Sequence, residues 1–171
     1  MGIKDNINIT FPDGNKREFE KGITGYQIAE SIAKSLAKEA IAINIDGIQK
    51  DLCDQINSDS SISIITINTD EGLDIMRHTL TAQVLAKAVK NLYPEAKLAI
   101  GPTIEHGFYY DVLFEKPISS EDLPKIEKEM NKIISNGEII NKKICSKKDA
   151  IKLFEERNET YKIDIINNSD Q

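Results

Sequence analysis

The stretch Asp70 to Pro94, DEGLDIMRHTLTAQVLAKAVKNLYP, constrains this chain more than any other. It holds no Gly or Pro between Leu73 and Tyr93, and it is rich in Leu, Ala, Lys, Gln and Met, which lose little on entering a helix. Asp70 and Glu71 place carboxylates at the positive end of such a helix, and Pro94 stops it. A helix of that length divides the chain into a part before it and a part after it. Thr69-Asp70-Glu71-Gly72 is the expected boundary, with one domain over 1–69 and the opening of a second over 70–171.

The first part alternates apolar and polar residues over Asn8 to Phe11 and Lys16 to Phe19, around the turn-forming Pro12-Asp13-Gly14-Asn15, which predicts a β-hairpin. Thr24 reads as the N-cap of a helix with the apolar stripe Ile28, Ala29, Ile32, Leu36. Ala40 to Ile45 and Ser61 to Asn68 read as further strands, the second β-branched on both faces and so expected to be buried on both. Two strands, a helix and two strands within this length predict a sheet with one helix laid across it, an α+β, β-grasp (ubiquitin-like) arrangement rather than a Rossmann unit.

The second part predicts strands at Lys97 to Ile100, Phe108 to Phe114, Glu138 to Ile144 and Tyr161 to Ile166. Helices are expected over Leu123 to Ser135, started at Ser119-Ser120-Glu121-Asp122 and stopped at Asn136-Gly137, and over Lys147 to Arg157, capped by Ser146. A closing strand with nothing after it to pair predicts an incomplete α/β domain, the front portion of something longer.

Composition narrows the function only by exclusion. The net charge is −6, with 7 basic and 10 acidic groups in residues 1–68 and 15 and 18 in the remainder, which argues against a wholesale nucleic-acid surface and against DNA as a partner. The one basic concentration, Lys142, Lys143, Lys147, Lys148 and Lys152, reads first as a solvated helix end and alternatively as an RNA-contacting patch. No apolar run approaches the ~20 residues of a membrane span, and MGIKDNINIT lacks the basic and apolar regions of a signal peptide. Cys53 and Cys145 have no companions at metal-ligand spacing, so the expected setting is reducing and cytoplasmic. Gly101 and Gly107 are not flanked as a phosphate-binding fingerprint requires, and nothing reads as an ATP, zinc or other cofactor site.

Taken together, FPDG in the first hairpin, the helix start E-G-L-x-I-M-R-H, and the run L-Y-P-x-A-K-L-x-I-G-P-x-I-E-x-G-F-Y-Y-D resemble the N-terminal half of the threonyl-tRNA synthetases, from about Asn8 to Asn167. That resemblance implies a TGS domain followed by part of an editing domain that hydrolyses serine from mischarged threonine tRNA. It implies a cytoplasmic homodimeric parent that joins threonine to tRNA with ATP, magnesium and a zinc-bearing core, none of it within these residues. It assigns editing-site roles to His78, Tyr110 and Lys162, and it places the family's C-x-x-x-H beyond Gln171, since Cys145 is followed by Ser-Lys-Lys-Asp. TGS-like domains attached to GTPases and stringent-response enzymes contact RNA or proteins, so the alternative reading is a non-catalytic binding module.

The helix departs from the family's H-x-x-x-H. Aligning V-L-A-K-A-V puts Gln83 in place of the second His, five residues from His78 instead of four. In a regular helix, spacing i,i+4 keeps two side chains on one face, whereas i,i+5 sets them roughly 140° apart. The stripe Leu73, Met76, Leu80 and the stripe Leu85, Ala88, Val89, Leu92 are rotated by roughly 100°, the turn of one residue. Both observations indicate a one-residue insertion, absorbed either as a π-bulge or as a shifted register. Ester hydrolysis needs a water deprotonated beside a carbonyl and donors for the oxyanion. Neutral His accepts a proton near neutral pH and Gln does not, so impaired editing is expected. Read without the resemblance, His78 is a structural helix residue, Tyr110 a core aromatic, His106 an exposed loop residue and Lys162 a surface lysine on an edge strand.

Overall fold

The computed structural model describes residues 5–169. Met1–Lys4, at the start of the stretch read for a signal peptide, and Asp170–Gln171 of the polar tail lie outside the described residues. The chain divides into two compact units, Met1–Met76 and Arg77–Gln171, so the division falls inside the long helix.

In the first unit, β1 (Asn6–Thr10) alternates Asn and Ile, and the two isoleucines point into the core while the asparagines face solvent. It pairs antiparallel with β2 (Lys16–Glu20) across the Pro12–Asn15 turn, where Gly14 has the positive φ the turn demands. The short β3 (Ile23–Thr24) ends on the cap of α1 (Gly25–Ile32), and Thr24 and Gln27 form a reciprocal capping box. The expected single helix is in fact two. Ala33 adopts an extended conformation and separates α1 from α2 (Lys34–Glu39), and Ile32 is left exposed instead of joining the stripe. Next come β4 (Ala40–Ile45), β5 (Ile48–Lys50), β6 (Gln55–Ile56) and β7 (Ser60–Thr66). The sheet order is β2-β1-β7-β4-β5, with only β1 and β7 parallel. Ile62 and Ile65 of β7 are both buried, on opposite faces. Ile7, Ile9, Ile28, Ile43, Ile56 and Ile62 form the core under α1, which is the predicted α+β β-grasp architecture.

The helix α3 (Asp70–Thr79) begins in this unit. Thr69 Oγ1 accepts from Gly72 N, and Gly72 lies so close to the end of β7 that a Cβ there would sit 2.0 Å from the Thr66 carbonyl oxygen.

The second unit packs the remainder of the long helix against α5 (Leu123–Ser135), burying Ala86, Ala88, Val89, Ile126 and Ile133 with Ala96 and Leu98. The long helix is not uniform: Leu80–Leu85 forms a π-helical turn between α3 and α4 (Ala86–Leu92). The expected strands at Lys97–Ile100 and Phe108–Phe114 shrink to β8 (Lys97–Leu98), β9 (Thr103–Ile104), β10 (Gly107–Phe108) and β11 (Val112–Leu113). These pair as β8–β11 and β9–β10, two rungs of one irregular hairpin. α5 has the predicted bounds and ends at Gly137 in the left-handed conformation, and α6 (Lys147–Glu156) is capped by Ser146.

Two expected strands of this unit do not form at all. Glu138–Ile144 forms no strand: Ile139 and Ile144 are 83% and 85% exposed, since β-branched residues without a neighbouring strand have no ladder to join. Tyr161–Ile166 lies within a helix, α7 (Thr160–Asn167). The left-handed Asn158 ends α6, and the Glu159 carbonyl then accepts from Lys162 N and Ile163 N, which starts a new helix where the β-branched residues suggested a strand. The chain's described part therefore does not close on an unpaired strand.

Candidate functional site

The site is built where the irregular hairpin, the π turn and α7 meet. Thr81, fully buried in the π turn, donates from Oγ1 to the Arg77 carbonyl at 2.8 Å, closing the widened backbone from within. Opposite it stands Gly101. A Cβ at that position would lie 2.4 Å from Tyr110 Cδ2 and 2.7 Å from Thr81 Cγ2, so only glycine admits the Tyr110 ring against the π turn. The hairpin around it is closed by backbone bonds, Ala99 N to Asp111 O at 3.0 Å and Asp111 N to Ile100 O at 2.9 Å. Arg77 Nη1 donates to the Glu105 carbonyl at 3.0 Å and ties the hairpin tip to the helix.

Lys162 reaches this hairpin from α7. Its Nζ donates to the Ala99 carbonyl at 2.6 Å and to Tyr110 Oη at 3.4 Å, and lies 5.6 Å from the centre of the Tyr110 ring. Tyr110 and Lys162, 52 residues apart, are thus brought into contact. Lys162 is half-buried on a helix, which corrects the reading of it as a surface lysine on an edge strand. Burial pushes the Lys162 ammonium below its ordinary value, opposed by the nearby Glu159 carboxylate. Burial, reinforced by the same carboxylate, pushes the Tyr110 hydroxyl above its ordinary value. The raised Tyr110 hydroxyl keeps its proton as a neutral phenol, and the Lys162 ammonium is half removed from water.

His78 is exposed near the end of α3, and Gln83 is exposed in the π turn. A π turn closes its hydrogen bonds five residues back, so it draws side chains five apart toward a common face. Of the two outcomes expected for this stretch, the structure has the π turn, with Gln83 inside it and His78 just before it. No hydrogen bond joins either residue to Tyr110 or Lys162 among the described residues. Gln83 instead lines a groove of about 320 Å³ between the π turn and the end of α5, with Lys87, Ile133, Glu138 and Ile140. An ion pair between Lys87 and Glu138 crosses that groove. His106, at the hairpin tip, is exposed beside Glu105.

Two residues of the site carry no sequence signal. Glu159, only 6% exposed, pairs with Lys90 at 2.9 Å, and its Oε2 accepts from Leu98 N at 3.4 Å. In the sequence both are ordinary charges on separate segments. Among the described residues, no three His, Cys, Asp or Glu side chains converge to hold a metal ion, and both cysteines are exposed and unbridged. No described helix is long and apolar enough to cross a membrane. The basic cluster from Lys142 to Lys152 is exposed along the loop before α6 and on α6 itself.

This mixed sheet under one helix, followed by a helical unit, is the setting in which the comparisons with known proteins fall. Residues 7–66 match the TGS domain family, so the first unit contains a TGS domain. The chain is also 49% identical over 160 residues to the threonine--tRNA ligase of Acetivibrio thermocellus, covering 94% of this chain and 25% of that protein. It is 48% identical over 165 residues to the enzyme of Anoxybacillus flavithermus and 44% identical over 164 to that of Allorhizobium ampelinum, each time over 96% of this chain. Nearly the whole chain thus corresponds to threonine--tRNA ligase sequence, and the resemblance drawn from its motifs holds. The chain spans about a quarter of the length of these relatives.

Proposed function

We propose that the chain is the N-terminal part of a threonine--tRNA ligase, in which residues 77–169 supply one wall of a pocket that hydrolyses seryl-tRNA formed in error. The whole protein then joins threonine to tRNA with ATP, in a core outside these residues. The observation that carries the editing reading is the contact between Tyr110 and Lys162, assembled from distant segments around a glycine that admits the ring.

In the reaction, a water oxygen attacks the ester carbonyl carbon, the ester C–O bond breaks, and the ribose hydroxyl leaves carrying a proton. The Lys162 ammonium, with two of its three N–H groups engaged at Ala99 and Tyr110, presents a cation to the developing oxyanion. Tyr110 lines the pocket as a neutral phenol. His78 orients the water, accepts its proton and passes that proton to the departing ribose oxygen. Gln83 contributes hydrogen bonds and no proton transfer, so hydrolysis is weak.

The test is a deacylation assay with seryl-tRNA for threonine, using the longest protein the gene encodes and its His78→Ala and Lys162→Ala variants. Slow hydrolysis that falls to the uncatalysed rate in both variants supports the reading. No hydrolysis by any of the three removes it and leaves the second reading, a tRNA- or protein-binding module, which the match of residues 7–66 to the TGS domain family favours.

A further inference from the structure

The helix that delivers Lys162 is poorly anchored by apolar packing. None of its residues is fully buried, and the backbone enters it through Asn158 in the left-handed conformation. What enters the interior is the residue just before it. Glu159 N donates to the Phe154 carbonyl at 2.9 Å and closes the end of α6, while the Glu159 carbonyl accepts from Lys162 N and Ile163 N and opens α7. Its carboxylate turns inward and is almost wholly removed from water.

That carboxylate is met by a saturated partner. Lys90 Nζ donates to Glu159 Oε1 at 2.9 Å, to the Pro94 carbonyl at 2.7 Å and to the Ala96 carbonyl at 2.9 Å, which uses all three ammonium N–H groups. The pair therefore ties the start of α7 to the end of α4 and to the loop leading into β8. A buried carboxylate with one satisfied cation and a backbone donor is the arrangement in which removal of either partner strands a charge.

The geometry extends to Lys162. Glu159 Oε2 accepts from Leu98 N, and Lys162 Nζ, one helical turn later, donates to the carbonyl of the next residue, Ala99. Glu159, just before α7, and Lys162, in its first turn, thus grip adjacent residues of the hairpin in opposite chemical senses, one as acceptor and one as donor. The same hairpin holds Tyr110, through the bonds between Ala99 and Asp111 and between Asp111 and Ile100. The register of α7 on this hairpin decides whether the ammonium meets Tyr110 or solvent.

We infer that Glu159, held in place by Lys90, is the positioning residue for Lys162: it fixes α7 against Leu98 and so sets the Lys162 ammonium between Ala99 and Tyr110. This deepens the editing reading, and it rests on that reading only for the use to which Lys162 is put. Its test is accordingly spectroscopic, so that failure of the hydrolysis assay and failure of this inference are separate results.

The measurement is the nuclear Overhauser effect between the Lys162 ε-methylene and the Tyr110 ring, with the ring-current shift of that methylene, in the 171-residue chain. Glu159→Ala and Lys90→Met are expected to abolish both signals while the amide resonances of residues 77–169 stay dispersed. Lys132→Met, which breaks an exposed ion pair on α5, is expected to leave both signals unchanged. Should Glu159→Ala fail to fold, Lys90→Met, which keeps the apolar stem, carries the test. An undiminished Overhauser effect in whichever of the two variants is folded overturns the inference. Collapse of amide dispersion in both overturns it too, because the pair would then be holding the whole unit and not one lysine.

Discussion

The two units of this chain solve the same problem differently. The first closes five strands into one sheet, with isoleucines from β1, β4 and β7 meeting one helix. The second pairs its strands only two residues at a time and relies on helix packing, a glycine contact and a buried ion pair. In the first unit the strands of the main sheet, alternating like β1 or apolar on both faces like β7, each find a neighbour, so local pattern and fold agree. In the second, Glu138–Ile144 has β-branched residues but joins no sheet, and its three isoleucines face solvent. Strand-forming residues make a strand only where another backbone is available to receive it.

The largest effects should therefore separate the units by their isoleucines. Ile9→Ala or Ile43→Ala, each removing a fully buried side chain, is expected to cost about 2–5 kcal/mol in urea unfolding. Ile144→Ala should stay within about 0.5 kcal/mol of the parent, and an equal loss there would break the contrast. The second unit's counterpart is Gly101→Ala, which forces a methyl into the Tyr110 and Thr81 contact. Overpacking of this kind costs about 1–3 kcal/mol, and the Tyr110 ring resonances should move. Gly107→Ala, with no atom near its Cβ, should leave them in place.

Smaller effects test the local signals. Thr24→Ala removes the bond from Gln27 N to Thr24 Oγ1, leaving the one from the residue-24 N–H to Gln27 Oε1, and should cost about 1 kcal/mol in thermal unfolding. The subtlest expectation is electrostatic. Followed by NMR titration, Lys162 should lose its proton below the ordinary lysine value of 10.5 and Lys125, beside Asp122, above it. Between the lowered Lys162 midpoint and 10.5 the unfolded chain binds more protons than the folded one, so this residue's contribution to stability rises with pH over that window. Tyr110 acts in the opposite sense above 10.0, where its raised value makes folding less favourable as pH rises. Lys162 titrating with the exposed lysines would mean that it is not desolvated.

Much of the fold was legible because it rests on local chemistry. The Pro12–Asn15 turn, the Thr24 cap, the bounds of α5 and the Ser146 cap all arise from side chains within a few residues of the feature. The break at Ala33 and the helical state of α7 were not legible, since α7 depends on a left-handed Asn158 and on Glu159 reaching Lys90 from 69 residues away. The π turn had a partial signal, the rotation between two apolar stripes, but only the structure distinguishes a bulge from a shifted register. Of the site, the resemblance pointed to His78, Tyr110 and Lys162, and the structure joins the last two. Glu159, Lys90 and Thr81 escaped notice, and Gly101 was weighed only against a phosphate-binding fingerprint, because burial and close approach are properties of the assembled hairpin, not of any one segment.

The most direct test of the account is the seryl-tRNA deacylation rate of a Gln83→His variant of the longest protein the gene encodes. If the π turn absorbs the insertion and Gln83 stands where the second base belongs, restoring an imidazole should raise the rate by roughly tenfold or more, and His78→Ala should abolish the gain. A rate unchanged by Gln83→His, in a protein whose fold and Tyr110–Lys162 contact are intact, would contradict it.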